Sequence, residues 1–157
     1  MIVQARGLTK VFGQDQAQII AVNNVNLTIE IGELVMFMGN SGCGKTTLVS
    51  LLGCILTPDE GQIILDGKTI DYMSHDLSQI RREKIGFVFQ LFNLIPYLTA
   101  LENVMIAMKI NGIESSEARG RAKDLLLQVG LENRLDHRPA QLSGGENQRV
   151  SFARALS

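Results

Sequence analysis

The segment that most constrains this chain is residues 39–46, which read GNSGCGKT and match the phosphate-loop pattern G-x-x-x-x-G-K-S/T. Three glycines let the backbone curl, so that its N–H groups can approach phosphate oxygens. Lys45 supplies a positive charge for β- and γ-phosphates, and the Thr46 hydroxyl is suited to ligate Mg²⁺. A chance match would arise in roughly 1 chain in 200 of this length. The segment therefore predicts a nucleotide-binding loop.

The flanking residues agree with this prediction. Residues 34–38 (LVMFM) are a short apolar run of the kind found in buried parallel strands. Residues 47–52 predict a helix whose N-terminus points at the phosphate. Strand, loop and helix in this order indicate an α/β fold. The candidate nucleotide-binding residues of the loop are Gly39, Asn40, Ser41, Gly42, Cys43, Gly44, Lys45, Thr46 and Thr47.

Length and composition fit one globular domain. The chain has 157 residues, 45% of them hydrophobic, and a formal charge of −1, which gives no sign of a nucleic-acid surface. Its two cysteines, Cys43 and Cys54, do not form a metal-binding set, and a reducing compartment is the simplest interpretation. No apolar run reaches the ~18–20 residues of a membrane span, and no signal peptide is recognisable. Any membrane association is therefore expected to depend on a partner.

The N-terminal half reads mainly as strands. Residues 2–8 and 24–31 are short and partly alternating, and residues 62–70 read as a hairpin around an Asp-Gly turn. Residues 85–89 (IGFVF) form a second wholly apolar run and predict a further buried strand.

The C-terminal half reads mainly as helices. A connection at residues 131–140 is irregular, and a last helix is predicted from Ser143 onward, still running at Ser157. Two apolar stripes recur at helical spacing and are expected to face a core rather than a ligand. They are Leu98, Leu101, Met105 and Met108 in one helix, and Ala118, Ala122, Leu125, Leu126 and Val129 in the next.

Gln90 directly follows the predicted strand at residues 85–89. A lone glutamine is most often an ordinary surface amide. The carboxyl ends of strands in an α/β sheet, however, face the ligand crevice. At that place a glutamine could reach Mg²⁺ or a water near the γ-phosphate, so Gln90 is a candidate catalytic and metal-binding residue.

The segment LSGGE at residues 142–146 opens the last helix and allows two interpretations. Ser143 and Glu146 have the spacing of a capping box, which needs only a helix start. That motif does not require Gly144 and Gly145, which cost conformational entropy and expose N–H groups at the positive end of a helix. The glycines indicate a second anion site, and two chains facing each other would use both sites.

Taken together, these residues resemble the nucleotide-binding subunit of ATP-binding cassette (ABC) transporters. GNSGCGKT is similar to the Walker A loop, Gln90 to the Q-loop glutamine and LSGGE to the ABC signature, in the family's order. The resemblance is made specific by the residues after the signature, which read QR at 148–149 and ARAL at 153–156. The resemblance covers essentially the whole chain. The segment GFVFQLFNLIPYLTALENV at residues 86–104 resembles the branch that serves lipoprotein release and macrolide or peptide export.

The resemblance implies a fold, ligands and partners. The fold is α/β, a P-loop NTPase of the ABC type with a RecA-like core, an antiparallel β subdomain and an inserted helical subdomain. Its implied parts are the β subdomain and P-loop core at residues 1–90, the helical subdomain at residues 91–142 and the signature helix at residues 143–157. The ligands are ATP and Mg²⁺, with Phe12 at the position of the adenine-stacking aromatic. The first implied partner is a second copy of the chain, bound head to tail. ATP would lie between Lys45, Thr46 and Gln90 of one copy and Ser143, Gly144 and Gly145 of the other. The second implied partner is an integral membrane permease, which would hold the chain at the cytoplasmic face of the inner membrane.

The chain also departs from the family pattern. The Walker B strand with its metal-binding aspartate and catalytic glutamate, the D-loop and the switch histidine would follow Leu156, and these 157 residues do not contain them. Residues 63–66 (IILD) mimic Walker B but precede the signature and are read as part of the hairpin. His75 and His137 also precede the signature, so neither stands in for the switch histidine. The cassette is thus expected to be incomplete at its C-terminus and to hydrolyse no ATP alone.

Two alternatives remain open from the residues. One is a remnant that binds nucleotide weakly or not at all. The other is a soluble ABC-type ATPase of DNA repair or chromosome architecture, which would carry a coiled coil or zinc module between the glutamine and the signature. Only 53 positions separate Gln90 from Ser143, without heptads or cysteines, which disfavours this second alternative.

Overall fold

The computed structural model describes residues 2–14, 17–73 and 77–157, so that His75 lies outside the described residues. The chain forms two compact units, Met1–Glu83 and Lys84–Ser157. The strands are β1 (Val3–Phe12), β2 (Ile19–Ile29), β3 (Glu60–Leu65) and β4 (Lys68–Thr69), and the helices are α1 (Lys45–Leu52), α2 (Leu77–Lys84), α3 (Ala100–Ile110), α4 (Ser115–Gln128) and α5 (Gly144–Ala155). None of the helices in the described ranges is long and apolar enough to cross a membrane.

The first unit contains an antiparallel sheet with the strand order β2-β1-β3-β4. Val3 of β1 lies opposite Ile29 of β2 on one side and Leu65 of β3 on the other. The strands predicted at residues 2–8 and 24–31 are confirmed with different bounds, because β1 continues to Phe12 and β2 runs from Ile19 to Ile29. Val25 and Leu27 alternate with exposed residues, as period-two patterning predicts.

The predicted hairpin is confirmed between β3 and β4. Asp66 and Gly67 connect the strands and have φ angles of 51° and 77°. Two successive positive φ values define the tight turn that best matches strand twist, and Asp-Gly is a preferred sequence for it. The Walker B-like residues 63–66 therefore end in an antiparallel hairpin, as expected.

Helix α1 follows the phosphate loop as predicted, whereas α2 was not predicted. The α2 sequence LSQIRREK is strongly polar, and none of its residues is buried, so it lacks a clear apolar stripe. A tertiary hydrogen bond contributes to its position, because Arg81 donates from Nη1 to the carbonyl oxygen of Cys54 at 2.8 Å.

The two wholly apolar strands that the sequence predicted are not formed. No ladder includes residues 34–38 or 85–89 within the described part of the chain, and the only described sheet is antiparallel. Leu34 is 93% exposed and Met38 is 82% exposed. An apolar run becomes a buried strand only when neighbouring strands supply hydrogen-bond partners and covering side chains. The described residues provide neither.

The second unit is helical and has its own core. Both predicted apolar stripes face that core within the helices: Leu101, Met105 and Met108 of α3 and Ala118, Ala122 and Leu126 of α4 are buried. They pack with Val150 and Ala153 of α5 in one cluster. Leu98 was predicted in the first stripe, but it precedes α3, which begins at Ala100, and it is half-buried. The irregular connection between α4 and α5 includes two short 3-10 turns, Glu132–Arg134 and Pro139–Gln141.

A buried asparagine fixes the approach to α3. The Asn103 side chain accepts a hydrogen bond from the Ile95 amide at 2.8 Å and donates to the carbonyl oxygens of Ile95, Leu98 and Thr99. Buried amides of this kind are stable only when their polar atoms are satisfied. At the other end of the unit, α5 ends at Ala155, slightly earlier than the predicted continuation to Ser157.

Candidate functional site

The phosphate loop is organised around the Lys45 ammonium group. Its Nζ donates to the carbonyl oxygens of Gly39 and Asn40, each at 2.7 Å, and lies 3.4 Å from the Sγ of Cys43. The loop thus curls around a positive charge. Because the partners are neutral, that charge is not cancelled by a carboxylate and remains available to an anion.

The start of α1 presents backbone donors at the same loop. Gly44 is the N-cap, no side chain caps the helix, and the first turn contains no acidic residue. The N–H groups of a helix's first turn have no partner within the helix, and the helix dipole favours negative charge there. Gly44 and Lys45 are half-buried, whereas the Thr46 side chain is exposed and can reach a ligand.

Gly44 is held close to the sheet. It has a φ of 89°, and a Cβ at this position would lie 2.1 Å from the carbonyl oxygen of Ala21 in β2. Only glycine fits so close to a backbone oxygen with a left-handed φ. The phosphate loop therefore requires this glycine for its own construction.

Phe12 ends β1 and is 41% exposed. The Nζ of Lys10 lies 5.7 Å from the Phe12 ring centroid and also donates to Asp59 at 3.0 Å. The second Asp59 oxygen accepts from the Val11 amide at 2.7 Å. These hydrogen bonds hold the Asp59 carboxylate in its charged form, and its pKa lies below the ordinary value. Phe12 therefore lies on a fixed strand end, with a ring face that is partly open.

Gln90 lies in an exposed turn of the second unit. The turn closes when the Phe92 amide donates to the carbonyl oxygen of Phe89 at 3.1 Å. Phe92 and Asn93 both have positive φ, at 60° and 48°. The predicted position at a strand end is replaced by a turn that projects the glutamine into solvent.

The signature segment forms a complete capping box. The Glu146 amide donates to the Oγ of Ser143 at 3.3 Å, and Glu146 accepts from the Ser143 amide at 2.8 Å. Arg134 donates from Nε to the second Glu146 oxygen at 2.8 Å. The Ser143 amide, the Ser143 hydroxyl and Arg134 together lower the pKa of Glu146 to about 2. The capping interpretation is confirmed for Ser143 and Glu146.

Capping does not account for the two glycines between them. A Cβ on Gly144 would meet nothing within 4 Å, and one on Gly145 would meet only the Arg149 Nη1 at 3.8 Å. Both glycines lie in the first turn of α5 and both are exposed. Nothing described in the chain requires them to lack a side chain. The open N-terminus of α5 is therefore accessible to a ligand or partner from outside.

The structure groups the candidate residues in two sets. Phe12 and residues 39–47 belong to the first unit, whereas Gln90 and the signature residues belong to the second. Sequence reasoning missed Asp59 and Arg154, which hold the Phe12 strand end and the Gln90 turn. No spacing rule reveals such tertiary hydrogen bonds. Within the described ranges, no group of three or more His, Cys, Asp or Glu side chains lies close enough together to hold a metal ion.

Comparison with known proteins assigns these features to one family. A family model described as ABC transporter matches residues 22–157. The chain belongs to the ABC transporter family. Its residues belong to the ATP-binding part of that family, and the resemblance predicted from the loop and signature motifs is confirmed.

Relatives and solved structures agree with this assignment. The chain is 48% identical to an ABC transporter ATP-binding protein of Methanocaldococcus jannaschii, MJ1508, over 99% of this chain and 70% of that protein. It is 44% identical to the macrolide export ATP-binding/permease protein MacB of Marinobacter nauticus, over 99% of this chain and 24% of that protein. The ATP-binding cassette MJ0796, solved as a dimer in a post-hydrolysis state with ADP and Pi, matches at 44% identity with a TM-score of 0.89, over 99% of this chain and 69% of that one.

The predicted fold class, an ABC-type P-loop cassette, is confirmed by this structural match. The chain spans about 70% of the length of the first of these relatives and a quarter of MacB. Family membership also implies ATP as the ligand and ATP-driven transport as the function of the class.

Proposed function

We propose that the chain binds Mg-ATP at residues 39–47 and supplies nucleotide-driven motion to a transporter for export or lipoprotein release. The observation that carries this proposal is the Lys45 ammonium group, which is enclosed by the loop carbonyls beside the uncapped N-terminus of α1. A cation and unpartnered backbone N–H groups at one point are the requirements of a phosphate site. The export assignment draws on the MacB name and on the resemblance of residues 86–104.

The residues of the loop fit Mg-ATP. Lys45 would neutralise the β- and γ-phosphates, and the first-turn N–H groups of α1 would receive their oxygens. The Thr46 hydroxyl and the Gln90 amide oxygen are hard oxygen donors, which Mg²⁺ prefers, and it keeps several waters besides. Phe12 would stack on the adenine through its exposed ring face.

The N-terminus of α5 would meet a nucleotide held by a second copy of the chain. Ser143, Gly144 and Gly145 are exposed, and the two glycines leave the helix N–H groups uncovered. A γ-phosphate from a facing subunit would be attracted by the helix dipole. The MJ0796 cassette, which was solved as a dimer, supports an assembly of two copies. We propose the head-to-tail arrangement for that assembly, with residues 1–90, 91–142 and 143–157 as the functional parts of each copy.

A permease would dock at the exposed residues after Gln90. Leu91 is 81% exposed and Tyr97 is 72% exposed, so these large apolar side chains do not pack inside the unit. Exposed apolar groups that lie close together are typical of a protein interaction site. We propose that a cytoplasmic helix of an integral membrane subunit covers them and places the chain at the cytoplasmic face of the membrane. A photo-crosslinker at Tyr97 should link to a membrane subunit in native membranes, whereas one at Leu127, exposed on α4, should not. Equal labelling at both positions would contradict the docking surface.

Hydrolysis would need groups that these 157 residues do not supply. We propose that the chain alone has negligible ATPase activity, because no candidate for the catalytic glutamate or switch histidine follows the signature in the given sequence. Phosphate release at about 1 s⁻¹, the low end for ordinary enzymes, would contradict this.

The Lys45→Ala substitution tests the central proposal. Charge-assisted contacts of this type are worth about 1.5–3 kcal/mol, so the Mg-ATP affinity should fall at least about tenfold. Lys68→Ala in β4 is the matched control, because it removes an exposed lysine from the same unit, and it should leave the affinity unchanged. Titration calorimetry measures both. Equal affinities in the wild type and Lys45→Ala would refute the proposal.

A further inference from the structure

The turn that carries Gln90 continues in an unusual backbone conformation. Phe92 and Asn93 adopt left-handed φ values of 60° and 48° in succession. Asparagine tolerates this region, but a bulky aromatic residue is rarely found there. Such a conformation persists only where surrounding contacts hold it in place.

The contacts that hold this turn come from α5. Arg154 donates from Nη2 to the carbonyl oxygen of Phe92 at 2.9 Å and from Nη1 to that of Asn93 at 2.7 Å. Ser151 is fully buried, and its Oγ donates to the same Phe92 oxygen at 3.1 Å. The planar guanidinium thus bridges two carbonyls with a fixed geometry that a single ammonium group cannot reproduce.

The segment before Gln90 contacts the same helix. A Cβ on Gly86 would lie 2.2 Å from the carbonyl oxygen of Ala155, at the end of α5. The chain therefore rests on α5 at Gly86, projects Gln90, and returns to α5 at Phe92. The N-terminus of that helix, three turns away, is the signature segment.

We propose that Arg154 is a positioning residue that fixes the Gln90 turn to the signature helix, so that both move as one body. The proposal rests on the proposed function, in which Gln90 meets one nucleotide and Gly144 and Gly145 meet the other. A rigid connection would make closure around the first nucleotide move the signature helix toward the second. Loss of the Arg154 guanidinium would leave each nucleotide site intact, but movement at one site would no longer be transmitted to the other.

The test compares Arg154→Met and Arg154→Lys with the control Arg121→Met in the whole 157-residue chain. Arg121 is exposed on α4 and forms an i,i+4 ion pair with Glu117. Amide hydrogen exchange at residues 91–94 should accelerate at least about tenfold in Arg154→Met, less in Arg154→Lys, and not in the control. Exchange in the cores of α3 and α4 should stay unchanged in all three variants.

The second measurement tests whether ATP binding by one chain is still coupled to dimerisation. Mg-ATP affinity of Arg154→Met should remain within about twofold of the wild type, whereas ATP-driven dimerisation, followed by analytical ultracentrifugation, should weaken at least about tenfold, with partial rescue by lysine. Unchanged exchange at residues 91–94, normal dimerisation in Arg154→Met, or equal acceleration across α3 and α4 would each overturn the positioning role. A wild-type chain that binds no ATP, or binds it without dimerising, would instead contradict the proposed function, and the positioning role with it.

Discussion

The phosphate loop and the signature segment are both glycine-rich and both open a helix, but their glycines serve different purposes. Gly44 lies against the Ala21 carbonyl, where a Cβ would approach to 2.1 Å. Gly144 has open space around its Cβ position, and Gly145 has only a distant arginine tip. The first region needs glycine to fold, whereas the second shows no such need within the described chain.

This difference separates two kinds of functional glycine. One kind is required by internal geometry and would be required even if no ligand ever bound. The other is unexplained until something external approaches the helix N-terminus. The signature segment also has its serine and glutamate committed to a capping box, so its helix start is already stable without the glycines. Substitutions in the two regions should therefore separate folding from assembly.

The largest expected effect is that of Gly44→Ala. Overpacking against the Ala21 oxygen and the left-handed φ should together lower the free energy of unfolding by about 2–4 kcal/mol. Mg-ATP affinity should fall about a hundredfold, because the loop must move. Gly144→Ala is the matched change in the other region and should stabilise α5 by about 0.5–1 kcal/mol. Urea unfolding measures both, and similar losses in the two variants would remove the distinction.

Gly145→Asp should affect assembly rather than folding. An acidic side chain in the first turn of α5 is favourable for the helix dipole, so the monomer should be as stable as the wild type. The same charge would repel a phosphate of a facing nucleotide, and ATP-driven dimerisation should weaken at least about tenfold. Gly145→Ala adds a side chain without a charge, so its comparison with Gly145→Asp separates the effect of the negative charge from that of the added volume. Light scattering with Mg-ATP measures the dimer, and normal dimerisation of the aspartate variant would favour a purely capping role for the segment.

Ser143→Ala should have a smaller effect on folding. Removal of the N-cap hydroxyl leaves the Glu146 amide without its side-chain partner and should cost about 1 kcal/mol of stability. Ser143→Asp restores an N-cap acceptor and should recover most of that stability. Thermal unfolding of the three proteins measures this. If only the aspartate variant loses ATP-driven dimerisation, the added charge repels the facing nucleotide and the hydroxyl itself is not needed for assembly. Loss in both variants would instead assign the hydroxyl a role in assembly.

The smallest effect concerns pH. The pKa of Glu146 is lowered to about 2, so the folded chain binds fewer protons there than the unfolded chain between the ordinary glutamate value and about pH 2. Stability from this carboxylate is therefore complete above that window and is lost as the pH falls through it. Glu146→Gln lacks the titration, so its melting temperature should approach that of the wild type on acidification. A constant difference from pH 6 to pH 2 would contradict the assignment.

Sequence reasoning succeeded where the signal was local. The Asp66-Gly67 turn specified its hairpin, the capping pair specified the start of α5, and the stripes of α3 and α4 faced the core. It failed for residues 34–38 and 85–89, whose apolar character predicted strands that have no described partners. A strand depends on neighbours far away in the sequence, so its formation is not encoded by the segment itself.

The sequence by itself determined the chemistry: a lysine within a glycine-rich loop, a helix start behind it, and a second glycine pair after a capping serine. These are local patterns, and their backbone requirements follow from residue type. Only the tertiary structure decided which glycine is fixed by Ala21 and which stands open, and only it placed Arg154 beneath the Gln90 turn. Those relations join residues tens of positions apart, and they depend on how the chain packs rather than on any spacing along it.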